Sequence, residues 1–187
     1  MASFFIGQYR LQVYKNGKSK FLKFNQMKKL LLLIALLFLN ISLGQKIATT
    51  YYFIRHAEKV DNSQNPDLST SGLERAALWN KIFSEVRFDE IYSTEYGRTI
   101  QTASPTAAAK NIQIKLYNPK NITIESFKEE TLGKKVLIVG HSNTTPKFVN
   151  QMINQNIFTD IEDGTFGNLY IVIIIEGEIT FQLLKLP

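Results

Sequence analysis

The stretch that decides the fold is Lys135-Val136-Leu137-Ile138-Val139-Gly140-His141, a continuous apolar run that ends in a histidine. Apolar residues without polar alternation indicate a strand that is buried on both faces, as in a parallel sheet. A second β-rich run, Thr50-Tyr51-Tyr52-Phe53-Ile54, is followed by Arg55-His56. We therefore predict two buried strands, each of which leads directly into a histidine.

Helical and extended patterns alternate on both sides of these strands. Apolar residues recur every three or four positions over residues 68–86, which predicts a helix, and Ser69 or Ser71 can cap its start. The other predicted elements are strands at 90–93 and 112–116, a helix at 94–110 that is kinked or broken at Pro105, a polar loop at 118–131 with room for one short helix, a helix at 146–153 and two terminal strands at 169–175 and 179–184.

This alternation defines the predicted fold class, an α/β three-layer sandwich with a mostly parallel sheet, helices on both faces and a C-terminal antiparallel hairpin. The 187 residues are enough for one domain with a substantial core. The sequence contains no internal repeat and no linker that would mark a second domain. Because there is no cysteine, disulfides and thiol catalysis are excluded.

The net charge of +6 belongs to the N-terminal part of the chain. Residues 1–44 contain seven of the 22 Lys and Arg residues and no acidic residue, which leaves 15 basic and 16 acidic residues in residues 45–187. The larger part of the chain is therefore close to neutral, and nucleic acid is not a predicted partner.

A signal peptide is predicted over residues 27–44. Lys28 and Lys29 precede an uninterrupted apolar run of ten residues, 30–39, which is short compared with the ~20 residues of a bilayer span. A charged start before a short apolar segment is typical of a secretory signal. A retained signal anchor and a buried core helix are the alternatives.

Small residues at Ser42 and Gly44 fit cleavage before Gln45. We therefore expect export to the periplasm or the extracellular space, with no stable membrane span after cleavage. Residues 1–26 precede a natural start at Met27 and are interpreted as a non-native N-terminal extension.

Two histidines and two arginines are predicted to meet at one edge of the sheet, because sites in open α/β sheets form at the carboxyl ends of strands. His56 and His141 are the only histidines, Arg55 precedes His56, and Arg98 follows the strand at 90–93 within five residues. Arginine is suited to binding phosphate oxygens, and histidine can act as a nucleophile or a proton carrier. The four residues together predict a phosphate site. The two histidines could instead bind a metal, but no third ligand occurs at zinc-site spacing, so we predict neither metal nor cofactor.

At these residues the sequence resembles the histidine phosphatase superfamily, also called phosphoglycerate-mutase-like, and within it a compact branch similar to bacterial phosphohistidine phosphatases. The resemblance covers residues 50–185 and implies a histidine phosphatase domain at 45–187. The motifs that carry it, in the family's order, are Arg55-His56-Ala57, Asp67-Leu68-Ser69-Thr70-Ser71-Gly72-Leu73-Glu74-Arg75-Ala76, Ile91-Tyr92-Ser93-Thr94-Glu95-Tyr96-Gly97-Arg98-Thr99-Ile100-Gln101-Thr102-Ala103 and Val139-Gly140-His141-Ser142-Asn143-Thr144.

The resemblance implies a role for each of the four residues. His56 would attack phosphorus and carry the phosphoryl group, Arg55 and Arg98 would hold its oxygens, and His141 would add positive charge in the transition state. Water would then hydrolyse the phosphohistidine. For His56 to attack, one ring nitrogen must be unprotonated, so we expect a backbone carbonyl to hold the other.

The general acid that protonates the leaving oxygen is the least defined part of the predicted site. Ser142 stands where some branches of the family carry an aspartate, and Ala57 replaces the usual glycine after the first histidine. Glu58, two residues after His56, is a possible general acid. Further candidates are Glu125, Glu129 and Glu130.

The predicted function is an exported, metal-independent phosphatase that hydrolyses small phosphomonoesters through a phosphohistidine on His56. Three alternatives stay open: a phosphohistidine protein phosphatase, a mutase, and a module that binds phosphate without turnover.

Overall fold

Residues 23–34 and 46–187 are described by a computed structural model of the chain, in which residues 46–187 form a unit of their own. Its strands are β1 (Ala48–Arg55), β2 (Glu90–Ser93), β3 (Ile114–Leu116), β4 (Lys135–Gly140), β5 (Asn168–Ile175) and β6 (Glu178–Lys185). Its helices are α1 (Thr70–Ile82), α2 (Gly97–Lys110), α3 (Ile124–Glu130) and α4 (Thr144–Ile153).

The six strands form one sheet in the order β3-β2-β4-β1-β5-β6. The first four of these strands are parallel to their neighbours, and β5 and β6 are added antiparallel at the other side. The predicted fold class, including the C-terminal hairpin, is confirmed. The carboxyl ends of β1, β2 and β4 lie side by side as a consequence of this order.

The sheet has a separate apolar core on each face, which explains the uninterrupted apolar sequence of β4. Val136 and Ile138 contribute to the core under α3 and α4, whereas Leu137 and Val139 contribute to the core under α1 and α2. All four side chains are almost completely buried. Since neither face of the strand meets water, a polar side chain on either face would cost free energy.

The observed helices differ from the predicted ones mainly at their ends. Helix α1 begins as predicted after Ser69, whose hydroxyl accepts a hydrogen bond from the Gly72 N–H at 3.1 Å. Helix α2 begins at Gly97, three residues later than predicted, and continues through Pro105 to Lys110 without a break. The residues before it, from Thr94, are not helical, and Thr94 belongs to the site described below.

The N-terminal part of the chain is described only at residues 23–34, which are helical. The predicted extension at 1–26 and the predicted signal peptide at 27–44 therefore lie largely outside the described residues, as does the cleavage position before Gln45. Within 23–34 and 46–187, no helix combines the length and the apolarity needed to cross a bilayer.

Candidate active site

The two histidines meet because β1 and β4 are neighbours in register, with Arg55 opposite Gly140. The next residue on each strand is a histidine, and the His56 N–H donates to the Gly140 carbonyl at 2.9 Å. The ring centroids of His56 and His141 are 5.5 Å apart. The parallel pairing thus brings together two residues that are distant in the sequence.

Strand β2, which lies on the other side of β4, is followed by the third part of the site, Thr94 and Arg98. Thr94 follows β2, and its Oγ1 lies 2.9 Å from His141 Nε2. Arg98, in the first turn of α2, places Nη2 at 3.3 Å from His141 Nδ1. The four residues predicted to form a site therefore share one edge of the sheet.

The four predicted residues line a cavity of about 910 Å³. Its wall includes all four predicted residues and a set of polar side chains from the strand ends and the loops. The other lining residues are Lys59, Thr94, Glu95, Tyr96, Leu116, Tyr117, Asn118, Pro119, Lys120, Ser142, Asn143, Thr144, Asp160 and Asp163.

The ring of His56 is held in the tautomer that a nucleophile needs. His56 Nδ1 lies 2.7 Å from the Ala57 carbonyl oxygen, which can only accept, so Nδ1 carries the proton and Nε2 has a free lone pair. The expected backbone carbonyl is therefore present. Burial lowers the pKa of His56 to about 4; the Ala57 hydrogen bond opposes this shift, and the charges of Arg55 and Arg98 add to it. The ring is neutral near pH 7.

His141 is held on three sides. An arginine can only donate, so Nδ1 accepts from Arg98 and Nε2 carries a proton that it donates to Thr94. The ring of Tyr96 packs edge-on against His141 with centroids 4.9 Å apart. Burial, followed by the charges of Arg98, His56 and Arg55, lowers the pKa of His141 to about 3. This ring is also neutral when no anion is bound.

Both arginines present buried N–H groups that have no partner in the described part of the chain. These are Arg98 Nη1 and Arg55 Nε. Burial lowers the pKa of both guanidinium groups, as expected for cations that are removed from water without full compensation. An unpaired donor of this kind is costly unless an anion accepts its hydrogen bonds. An anion bound between the two arginines would supply these missing acceptors.

Arg55 also fixes the loop before β5. Its Nη1 donates to the carbonyls of Glu162 at 2.8 Å and Thr165 at 3.1 Å, and its guanidinium stacks on the Phe166 ring at 4.5 Å. Asp163 Oδ1 lies 3.6 Å from Nη2 on a side chain that is fully exposed. The loop thus becomes one wall of the cavity.

The carboxylates predicted as general acids do not line the cavity. Glu58 accepts from Arg75 Nε at 2.8 Å, outside the cavity wall. Glu125, Glu129 and Glu130 are exposed on α3. The geometry supports none of the four as the acid.

The carboxylates that line the cavity are Glu95, Asp160 and Asp163, and the sequence analysis singled out none of them. Of these, Glu95 stands between Thr94 and Tyr96, two of the residues that contact His141. The sequence signal that could have identified Glu95 was its position three residues before Arg98. Asp163 and Phe166 lie more than 100 residues from Arg55 and gave no comparable signal. Across 23–34 and 46–187, no cluster of three or more His, Cys, Asp or Glu side chains could hold a metal ion.

Comparison with known proteins agrees with the class of fold and site described above. The family model "Histidine phosphatase superfamily (branch 1)" matches residues 51–118, which include Arg55, His56 and Arg98. No curated protein sequence matches the chain. The resemblance to the histidine phosphatase superfamily predicted from the sequence is confirmed.

Solved structures with the same fold match this chain over nearly the whole of their own length. An α-ribazole phosphatase from Shigella flexneri is 14% identical, with a TM-score of 0.60 over 73% of this chain and 96% of that one. The protein histidine phosphatase SixA, solved with tungstate, is 13% identical, with a TM-score of 0.58 over 73% and 96%. A phosphoglycerate mutase from Bacillus anthracis is 13% identical, with a TM-score of 0.55 over 74% and 93%. At sequence identities of 13% and 14%, the similarity to these structures shows the fold alone.

Proposed function

We propose that the protein is an exported, metal-independent phosphatase that hydrolyses phosphomonoesters through a phosphohistidine on His56. The observation that carries this proposal is the presence, around one cavity, of a neutral imidazole whose Nδ1–H is held by Ala57 and of two arginines, Arg55 and Arg98, that each have an unpartnered buried N–H group. A neutral nucleophile beside unsatisfied cationic donors suits attack on a phosphoryl group.

The proposed reaction has two steps at phosphorus. In the first, His56 Nε2 forms an N–P bond while the bond from phosphorus to the leaving oxygen breaks, and an acid protonates that oxygen. In the second, a water oxygen attacks phosphorus, the N–P bond breaks, and the water proton returns to the conjugate base of that acid. Inorganic phosphate is then released, and neutral His56 is restored.

Arg55, Arg98 and His141 would stabilise the phosphoryl group more strongly as negative charge develops on its oxygens. A phosphate dianion between Arg55, Arg98 and His141 would offset the effects that lower the pKa of His141. His141 would then share or donate a proton to a phosphoryl oxygen. The charge stabilisation that a metal ion gives in other phosphatases would thus come from side chains, which is the basis for proposing metal independence.

The proposal predicts turnover of p-nitrophenyl phosphate by the purified protein in the presence of EDTA. This substrate has a good leaving group, so the first step depends little on a general acid. Release of p-nitrophenol and inorganic phosphate is measured together, and readdition of Mg²⁺ or Zn²⁺ should leave the rate unchanged. Phosphate binding without any turnover would support the non-catalytic module instead.

Alkyl phosphates have poorer leaving groups than aryl phosphates, so the same assay with them tests for the unassigned general acid. If the protein also hydrolyses them, Glu95→Gln should slow that reaction more than the aryl reaction, because Glu95 is the carboxylate beside the residues that contact His141. If alkyl phosphates are hardly turned over but phosphohistidine is, the protein is a phosphohistidine phosphatase. The absence of the predicted acids from the cavity wall favours this as the second candidate.

Export is supported by the charged start and the short apolar run of residues 27–44. N-terminal sequencing of the protein from cells that express it natively should find Gln45 or a near neighbour as the first residue. An intact end at Met27 would contradict cleavage and support the retained signal anchor.

A further inference from the structure

The chain segment that carries the proposed nucleophile is held by several other elements of the fold. The His56 N–H donates to a carbonyl at the end of β4, and the Glu58 carbonyl accepts from the Ser69 N–H before α1, both at 2.9 Å. Between these two contacts, the Ala57 N–H donates to Thr102 Oγ1 on α2, also at 2.9 Å. Thr102 therefore links α2 to the residue that follows the nucleophile.

The hydroxyl of Thr102 joins two parts of the catalytic site. A backbone N–H can only donate, so Thr102 Oγ1 accepts from Ala57 and uses its own proton for the Arg98 carbonyl, at 2.7 Å. Thr102 is 1% exposed and Ala57 is completely buried, so water has little access to either contact. One buried hydroxyl thus connects the backbone after His56 with the backbone of Arg98.

This connection reaches the ring of His56 through a single residue. The Ala57 carbonyl accepts the Nδ1–H of His56 at 2.7 Å, and this hydrogen bond leaves Nε2 unprotonated. Only the Cα of Ala57 separates the N–H that Thr102 holds from the carbonyl that holds the ring. A displacement at the N–H would therefore turn the carbonyl and move the ring relative to Arg98.

A second threonine on the same face of α2 lacks these contacts. Thr106 lies four residues after Thr102 and is completely buried. Its hydroxyl has no partner in the part of the chain that the structure describes. The helix thus carries two buried threonines, of which only Thr102 is linked to Ala57 and Arg98.

We propose that Thr102 is a positioning residue that sets the place of His56 Nε2 relative to Arg98 by holding Ala57. This inference rests on the proposed function. Thr102 does not line the catalytic cavity, so its effect on the reaction passes through the residues that it holds. Loss of its hydroxyl should therefore impair the attack on phosphorus more than the binding of phosphate.

Thr102→Val tests the link, because valine keeps the branched shape and a similar helix propensity but has no hydroxyl. We expect kcat for p-nitrophenyl phosphate to fall about 10- to 100-fold, the scale of a misaligned reacting group. KM and the Ki of inorganic phosphate should change less than about threefold, since both guanidinium groups are retained. Thr102→Ser restores the hydroxyl and should return kcat to within about threefold of wild type.

Thr106→Val is the matched control on the same helix face. It removes a buried hydroxyl that has no partner among the described residues, so kcat should stay within about twofold of wild type and the Tm should not fall. Equal losses of kcat in Thr102→Val and Thr106→Val would assign the effect to helix packing and overturn the proposal.

The ¹⁵N chemical shifts of the His56 ring give a readout that needs no turnover. Wild-type His56 should show one protonated and one unprotonated nitrogen near pH 7, because the Ala57 carbonyl holds Nδ1–H. In Thr102→Val the two signals should approach each other as the other tautomer becomes populated. Thr102→Ser should keep the wild-type pattern.

A kcat of Thr102→Val within threefold of wild type would overturn the proposal even if its Tm falls, since Thr102 would then serve packing alone. Equal losses in Thr102→Val and Thr102→Ser would also overturn it. If Thr102→Val does not fold, Thr102→Ala replaces it under the same criteria, because alanine is favourable within a helix. If the wild-type protein hydrolyses no p-nitrophenyl phosphate, the proposed function fails, and an unchanged His56 spectrum in the variant is then the result that overturns the link.

Discussion

Replacing His56 with alanine is expected to lower kcat for p-nitrophenyl phosphate by at least about 10⁴-fold, because no other described group with a free lone pair is held at this position on the cavity. His141 cannot substitute for it, since its Nδ1 accepts from Arg98 and its Nε2 donates to Thr94. The wild-type protein, quenched with base after mixing with ³²P-labelled substrate, should carry a label that is stable in base and lost in acid. His56→Ala should carry none.

His56→Asn is the matched control for the fold. The asparagine amide can still donate to the Ala57 carbonyl but provides no nucleophilic ring nitrogen, so the variant should keep its Tm and lose its activity. Full turnover by either variant would show that another group attacks phosphorus. A base-stable label in His56→Ala would lead to the same conclusion.

The strands and the grouping of the four site residues could be predicted because short stretches of sequence carry the signals. The apolar runs of β1 and β4 are uninterrupted, and a histidine follows each run directly. Once the strands are parallel neighbours, the register brings Arg55, His56 and His141 together. Beyond that pairing, the prediction needs only the rule that sites form at the carboxyl ends of strands.

The wall of the cavity was harder to predict because it is built by contacts between distant segments. Arg55 holds Glu162 and Phe166, which come from a loop without any regular pattern. Glu58 was selected for its closeness to His56 in sequence, but its carboxylate accepts from Arg75 and does not line the cavity. Sequence distance is thus a poor guide to distance within a site once the strand has ended.

The start of α2 shows a related limit. The Ala- and Thr-rich pattern predicts a helix from Thr94, yet the helix begins at Gly97. Thr94 instead uses its hydroxyl on His141 and Thr99, and Tyr96 packs against the imidazole. Helix propensity is a weak preference of a few tenths of a kcal/mol per residue, so contacts of this kind override it.

Arg98→Leu is expected to lower kcat/KM by about 10²- to 10³-fold, the range found when one donor to a developing negative charge is removed. It should also raise the pKa of His141. Burial is the largest cause of the low value and Arg98 the next, so without this cation protonation of the ring becomes easier while the pKa stays below its ordinary 6.5. With only two histidines in the chain, ¹⁵N-edited NMR titration can follow each ring separately.

The effect on stability should have the opposite sign, which separates a site residue from a structural one. Arg98 Nη1 is buried without a partner in the described part of the chain, so a leucine of similar breadth removes a charge that the contact of Nη2 with His141 compensates only in part. We expect the Tm to stay the same or to rise by up to about 4 °C. Arg98→Lys keeps the charge but loses the planar fork, so it should keep the pKa of His141 low and show an intermediate loss of activity. A marked fall in Tm together with activity within threefold of wild type would mean that Arg98 supports the fold and binds no phosphate.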